Sequence, residues 1–191
     1  MKNPCVFIFS GPGGAGKTTI VNELFKRDDI RALCMKATTV TSRKRRPEEI
    51  DAKDYFFVSP EEFLYLQKRK FFLETQQVAD NYYGTPKLFY TMAKKGKKHL
   101  VLCIDVKGGM YLKRNLKTAR IITVFISAPS EKELYQRMKK RDEDKETITK
   151  RTALAKKELQ FSKYYDYVIT NKMVATAVSE AADIILAHQQ L

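Results

Sequence analysis

A chain of 191 residues is long enough for one α/β core with small lobes hung from it. Its 43% apolar and 11% aromatic content argues against wholesale disorder, and no apolar run approaches the length of a membrane span. Thirty-six Lys and Arg against 22 Asp and Glu leave a charge of +14, which favours anionic partners without choosing among nucleotides, nucleic acid and acidic lipid.

Cys5–Ser10 is a continuous apolar run ending in a glycine-rich segment, the pattern of a buried parallel strand. It is too short for a signal-peptide core, so a cytoplasmic location is the expectation. Ile20/Val21 and Leu24/Phe25 recur at helical spacing, which places a helix start near Lys17. Ser59-Pro60-Glu61-Glu62 joins a capping serine, a proline at the first helical position and a glutamate three residues on, and predicts a helix to about Lys70. Thr85-Pro86 predicts the opening of another helix, closing near Gly96. Lys98–Asp105 reads as a second buried strand with an acid at its end, Arg120–Ser127 as a third, and Tyr167–Thr170 as a short fourth. Further helices are predicted from Ser130 through Arg141, from about Glu146 to Phe161, and over Val174–His188.

Strands alternating with helices predict a parallel sheet covered on both faces. Thr38–Lys87 and Arg137–Arg151 fit that core poorly and are expected as lobes over its ligand-binding edge. Cys5, Cys34 and Cys103 are widely spaced, and only His99 and His188 could join them, so neither a disulfide framework nor a zinc site is expected. Cys5 and Cys103 read as small core residues.

Gly11, Pro12, Gly13, Gly14, Ala15, Gly16, Lys17 and Thr18 fulfil the Walker A pattern, between a predicted strand and a predicted helix. Glycines let such a loop curl so that its backbone N–H groups face phosphate oxygens, and the helix adds the positive end of its dipole. Lys17 is expected to reach the β- and γ-phosphates, and the Thr18 hydroxyl to ligate Mg²⁺. The loop by itself does not name a second substrate.

Thr39-Val-Thr-Ser-Arg43-Lys-Arg-Arg46-Pro-Glu-Glu49, followed by Asp54-Tyr55-Phe56-Phe57, brings hydroxyls, paired arginines and a tyrosine together. Arginine forks suit phosphate oxygens, and hydroxyls add neutral donors. Further on stand Phe72-Leu73-Glu74 and Asn81-Tyr82-Tyr83-Gly84-Thr85. A buried glutamate can accept from a base carrying adjacent N–H donors, as guanine does at N1 and N2, and a threonine could donate to guanine O6.

These segments resemble the guanylate kinase family. The resemblance continues through Ile104-Asp105-Val106-Lys107-Gly108, Ala128-Pro129-Ser130, Arg137, Arg141, Arg151 and Tyr165–Asn171, and so spans nearly the whole chain in order. It implies a P-loop NTPase-type α/β fold with a core of 1–37, 88–133 and 157–191, a GMP-binding lobe at 38–87 and a lid at 134–156. It implies transfer of the γ-phosphoryl group of ATP to GMP, and to dGMP, with Mg²⁺, in purine nucleotide metabolism. Arg43, Arg46, Tyr55 and Tyr83 would hold the GMP phosphate, with Glu49 bracing the arginines. Glu74, Thr85 and Asp105 would read the guanine beside Thr39. Arg137, Arg141 and Arg151 would embrace the phosphates from the lid, and Asn171 would lie near the adenine. Arg45, Gly13 and Lys107 depart from the family pattern, and Cys103 stands where the family usually carries an acid.

Nucleic acid and membrane are not expected as partners, and monomer and homodimer both remain open. The rival expectations are a kinase for another phosphorylated acceptor and a non-catalytic scaffold of the same shape. Retention of Lys17 speaks against the scaffold.

Overall fold

The described residues of the computed structural model are 4–78, 80–139 and 145–188. Strand β1 (Cys5–Ser10) leads into the glycine loop and α1 (Lys17–Leu24), then α2 (Asp28–Leu33) and β2 (Cys34–Lys36). Three short elements follow, β3 (Thr39–Thr41), β4 (Tyr55–Phe57) and α3 (Pro60–Lys68), and then the pair β5 (Phe72–Val78) and β6 (Asn81–Pro86). The chain continues through α4 (Lys87–Lys95), β7 (His99–Cys103), α5 (Val106–Asn115) and β8 (Arg120–Ser127). It closes with α6 (Glu131–Lys139), α7 (Lys145–Leu159), β9 (Tyr167–Thr170) and α8 (Val174–Ala187).

Five strands form the main sheet in the order β2-β7-β1-β8-β9, every neighbouring pair parallel. Because side chains alternate along a strand, β1 feeds two cores. Cys5, Phe7 and Phe9 meet Ile20, Val21 and Leu24 of α1 and Ala177, Ala181 and Ile185 of α8 on one face. Val6 and Ile8 meet Leu100 and Leu102 of β7, Ala93 of α4 and Leu112 of α5 on the other. Burial of each large aliphatic or aromatic side chain contributes about 1.5–3 kcal/mol, so the all-buried β1 anchors the whole layer. The expected parallel sheet with helices on both faces is what the chain builds.

A second sheet, order β4-β3-β6-β5, lies within residues 38–87 and is mostly antiparallel. Its small core is Val40, Phe63 and Phe72. The Phe63 ring stacks on Phe72 at 4.7 Å and on Tyr82 at 5.4 Å. Gly84 makes that stack possible, since a Cβ there would sit 2.8 Å from Phe72 Cδ1.

Boundaries differ from expectation at three places. Helix α3 ends at Lys68, where Lys70 adopts φ 55. Thr85-Pro86 leads into α4 where the helix was expected, with Pro86 as its extended N-cap and Gly96 as its C-cap, but both residues also close strand β6. Pairing of Thr85 with Glu74 across the ladder keeps the dipeptide extended. Lys98 and Asp105 lie outside β7, and Asp105 instead caps α5.

Candidate functional site: a two-sided phosphate cleft

The glycine loop leaves β1 through backbone that L-residues avoid. Gly11, Gly14 and Gly16 have φ of 145, 81 and 92. A Cβ on Gly11 would lie 2.0 Å from the carbonyl oxygen of Ile126, and one on Gly16 would lie 2.3 Å from Asn171 Nδ2. The loop is therefore pressed against the ends of β8 and β9. Asn171 Nδ2 donates to Ala15 O at 2.8 Å and holds the loop from behind. Asn171 Oδ1 is buried and has no hydrogen-bond partner. Helix α1 begins with no capping side chain and no acid in its first turn, so its N–H groups and dipole are available to an anion. Lys17 Nζ donates to the carbonyl oxygens of Gly11 (2.5 Å) and Pro12 (3.0 Å).

Across from this loop, Glu49 gathers two arginines. Arg43 donates to Glu49 Oε1 at 2.6 Å, the backbone N–H of Arg46 donates to Oε2 at 2.9 Å, and the Arg46 guanidinium lies 3.7 Å from Oε1. Burial pushes the Glu49 carboxyl up, but the Arg43 and Arg46 hydrogen bonds and charges outweigh it and hold the group below its usual range. The Arg43 guanidinium sits 5.5 Å from the Tyr55 ring centroid and 5.7 Å from that of Phe57. Tyr55 and Tyr83 meet edge to face at 6.2 Å. Burial raises the Tyr55 hydroxyl, which stays a neutral donor. Lys44 and Arg45 are exposed, and Tyr82 packs on Phe63.

Glu74 is 5% exposed, and its Oε1 accepts from the Thr85 hydroxyl at 2.7 Å. Burial pushes its carboxyl up to about 7, with the Thr85 hydrogen bond opposing and the Asp105 charge adding to the rise. Asp105 accepts from Gly108 N at 2.8 Å as the cap of α5, and burial raises it too. A Cβ on Gly108 would fall 2.7 Å from Glu74 Oε2, so a glycine there lets the glutamate reach the start of α5. Two carboxyl groups thus share one low-dielectric pocket, suited to a ligand with neighbouring N–H donors.

One cleft of about 490 Å³ joins the two halves. It lies beyond the C-terminal ends of β1 and β7, where open parallel sheets hold ligands. Gly11, Gly13, Gly14, Gly16, Lys17 and Thr18 line its phosphate-loop side. Thr39, Arg43, Arg46, Glu49, Tyr55, Glu74 and Tyr83 line the other, with Asp105 between them and Arg151 above. Pro12 and Ala15 belong to the loop without lining the cleft, Thr85 is wholly buried behind Glu74, and Asn171 stands behind the loop. Arg137 is engaged by Glu133 and donates to Asn171 O at 3.0 Å. Arg141 lies outside the described residues.

Among the further lining residues, Glu158 went unread in the sequence and Cys103 was expected in the core. Glu158, near the end of α7, faces the cleft beside Leu154. Its signal was a seven-residue step from Arg151, visible only once the helix is known to turn that face inward. Cys103 is half-buried rather than core, and lines the cleft next to Asp105. Burial pushes its thiol up against the opposing influence of Lys17, Thr18 and Lys36.

A parallel sheet whose first strand runs into this loop, with arginines and paired carboxyl groups facing it, defines a P-loop nucleotide-binding protein. Residues 3–188 match the family model described as guanylate kinase. The chain is 39% identical to the guanylate kinase of Caldanaerobacter subterraneus subsp. tengcongensis, covering 98% of this chain and 89% of that one. It is 37% identical to that of Thermotoga maritima, covering 96% and 87%. Its fold matches the crystal structure of guanylate kinase from Anaplasma phagocytophilum with a TM-score of 0.81 at 28% identity, covering 99% of this chain and 88% of that one. The chain belongs to the guanylate kinase family.

Proposed function

We infer that this protein is an ATP:GMP phosphotransferase, moving the γ-phosphoryl group of ATP to GMP to give ADP and GDP. The observation that carries the acceptor is the buried Glu74 carboxyl, held by Thr85 beside Asp105 and opposite the phosphate loop in one cleft. Guanine presents N1–H and N2–H to such a pair, and adenine lacks that edge.

ATP lies with its phosphates on the Gly11–Thr18 loop, and Asn171, buried behind that loop, serves ATP by holding Ala15 in place. GMP lies in the lobe of residues 38–87. Arg43, Arg46, Tyr55 and Tyr83 hold its phosphate, Glu49 aligns both arginines, and Thr39 borders the base. Thr85 donates its one O–H hydrogen bond to Glu74, so it acts on guanine by fixing that carboxyl. The residues of the donor side suit Mg²⁺, because Thr18 offers a hard hydroxyl oxygen in the cleft and the triphosphate brings its own. When bound there, the ion would neutralise phosphate charge.

The reaction asks mainly for alignment and charge stabilisation, since the GMP phosphate is already an anion. Lys17 and the lid arginines Arg137, Arg141 and Arg151 neutralise the group in flight. Arg43 and Arg46 keep the acceptor oxygen in line. Closure of the lobe and of the lid, residues 134–156, excludes water that would otherwise consume ATP. Among the described residues no helix is long and apolar enough to cross a membrane, and we place the reaction in the cytoplasm.

The deciding experiment is a coupled assay of ADP release with GMP, dGMP, AMP, CMP and UMP as acceptors. GMP and dGMP should turn over and the other three should not. Inactivity with GMP while another monophosphate reacts would overturn the acceptor assignment.

A further inference from the structure

Helix α7 divides its residues between the protein and the cleft. Ala155 and Leu159, four apart, pack on the main core, and Leu159 also packs on the cluster of Val106, Phe125 and Tyr165. Arg151, Leu154 and Glu158, at positions i, i+3 and i+7, line the cleft. The seat of Leu159 on the Val106 cluster brings Glu158 to the place where α5 begins, at the end of the cleft that holds Asp105.

Glu158 is 9% exposed, yet among the described residues its carboxyl has neither a hydrogen bond nor an ion pair. The other buried carboxyl of the cleft, Glu74, has the Thr85 hydroxyl. Burying a carboxylate costs free energy unless donors replace the water it loses. The fold supplies Glu158 with no such donor, and the space it lines is the one that receives the substrates.

Phosphates bring no hydrogen-bond donors and repel a carboxylate. The donors on ATP and GMP are the N–H groups of the bases and the hydroxyls of the riboses. Guanine N1–H and N2–H are met by Glu74 and Asp105 in the reading above. ATP hangs from the Gly11–Thr18 loop, which is pressed against the ends of β8 and β9, whereas Glu158 is seated by the start of α5. A GMP that joins Glu74 and Asp105 at its base to Arg43 and Arg46 at its phosphate carries its ribose between them. The two oxygens of a carboxylate accept side by side, and an acidic residue accepts from a ribose hydroxyl in this way in dinucleotide-binding folds.

We propose that Glu158 is a specificity residue of the acceptor site: its carboxylate accepts hydrogen bonds from the ribose hydroxyls of GMP. The acceptor is then read at its base by Glu74 and Asp105, at its phosphate by Arg43 and Arg46, and at its sugar by Glu158. One face of α7 serves both ends of the reaction, with Arg151 toward the phosphates and Glu158 toward the sugar. This rests on the ATP:GMP reading above. An acceptor that keeps one hydroxyl, as dGMP does, still reacts, with lower efficiency.

The test is steady-state kinetics at saturating ATP and Mg²⁺ on the full chain, with GMP, dGMP and 3′-deoxy-GMP as acceptors. Wild type, Glu158→Gln and Glu158→Ala are compared. In wild type, loss of at least one of the two hydroxyls should lower kcat/KM about tenfold or more. The same loss should cost less than about twofold in Glu158→Ala, with Glu158→Gln between them because an amide oxygen is the weaker acceptor. The melting temperature of Glu158→Gln should not fall, since the carboxyl has no protein partner to lose. A residue that acts only on folding or on lid movement slows all three acceptors by the same factor, and that outcome overturns the proposal. So does a wild type indifferent to both hydroxyls. A wild type inactive on GMP overturns the acceptor reading instead, and the ribose and deoxyribose forms of the acceptor that does react then carry the same comparison.

Discussion

The Thr85 hydroxyl and the Glu74 carboxyl are register partners across β5 and β6, joined by a 2.7 Å hydrogen bond inside the protein. Thr85 has one O–H, and it points at Glu74, so the sequence expectation of a direct donor to guanine O6 gives way to an indirect role. Glu74→Gln replaces one acceptor oxygen with an amide that faces the guanine donors. KM for GMP should rise about tenfold or more, with a smaller change in KM for ATP. Equal GMP affinity by calorimetry would remove Glu74 from the base site.

The same burial links stability to pH. The folded Glu74 carboxyl is pushed up to about 7, against 4.5 for the ordinary group. A group raised on folding contributes stability that is fully present below its unfolded value and is lost as pH rises through its folded value. Wild type should therefore lose stability between about pH 4.5 and 7 relative to Glu74→Gln. Thermal melts of both proteins across that window check this, and parallel curves would show that Glu74 is not shifted.

Glu49 ties Arg43 and Arg46 together with little exposure, the side chains of Arg43 and Glu49 being 11% and 12% accessible. Removing one member of such a pair strands the other, at a cost of about 3 kcal/mol. Glu49→Ala should lower the urea midpoint and raise KM for GMP, because both guanidinium groups lose their bearing. A variant with normal stability and normal KM would show that the arginines hold position by stacking on Tyr55 and Phe57 alone.

Gly11→Ala should be among the most damaging single-carbon changes available. The added methyl would meet a backbone oxygen at 2.0 Å, which cannot swing aside as a side chain could. A loss of about 2 kcal/mol or more is expected, with weakened ATP binding. Lys17→Ala should instead leave the melting curve in place and remove about a thousandfold or more of the rate. Denaturation and kinetics on the two variants separate loop shape from loop charge.

The legibility of the chain followed the range of its contacts. β1, β8 and β9 were readable because each is an apolar run with clear ends, and α3 because Ser59 and Glu62 form a local capping box. The strands β2, β3 and β4 were not, being three residues long, with β4 half-exposed throughout. Their stability comes from partners far off in sequence, such as Val40 against Gly84. Helix α5 also escaped notice, since Gly108 and Gly109 weaken its helical pattern, while in the fold Gly109 gives way to Ser10 and Tyr165.

By itself, the sequence determined that a phosphate loop ends the first strand, because glycine spacing, Lys17 and Thr18 form one contiguous signal whose physics is local. It also marked Arg43, Arg46 and Glu74 as residues of suitable chemistry. Only the tertiary structure decided how they are used. It committed the Thr85 O–H to Glu74, set Glu49 between two arginines, exposed Cys103 to the cleft and brought Glu158 into the cleft's lining. Each of these depends on which faces of distant elements meet, and burial there changes a side chain's proton affinity and partners in ways that spacing along the chain does not encode.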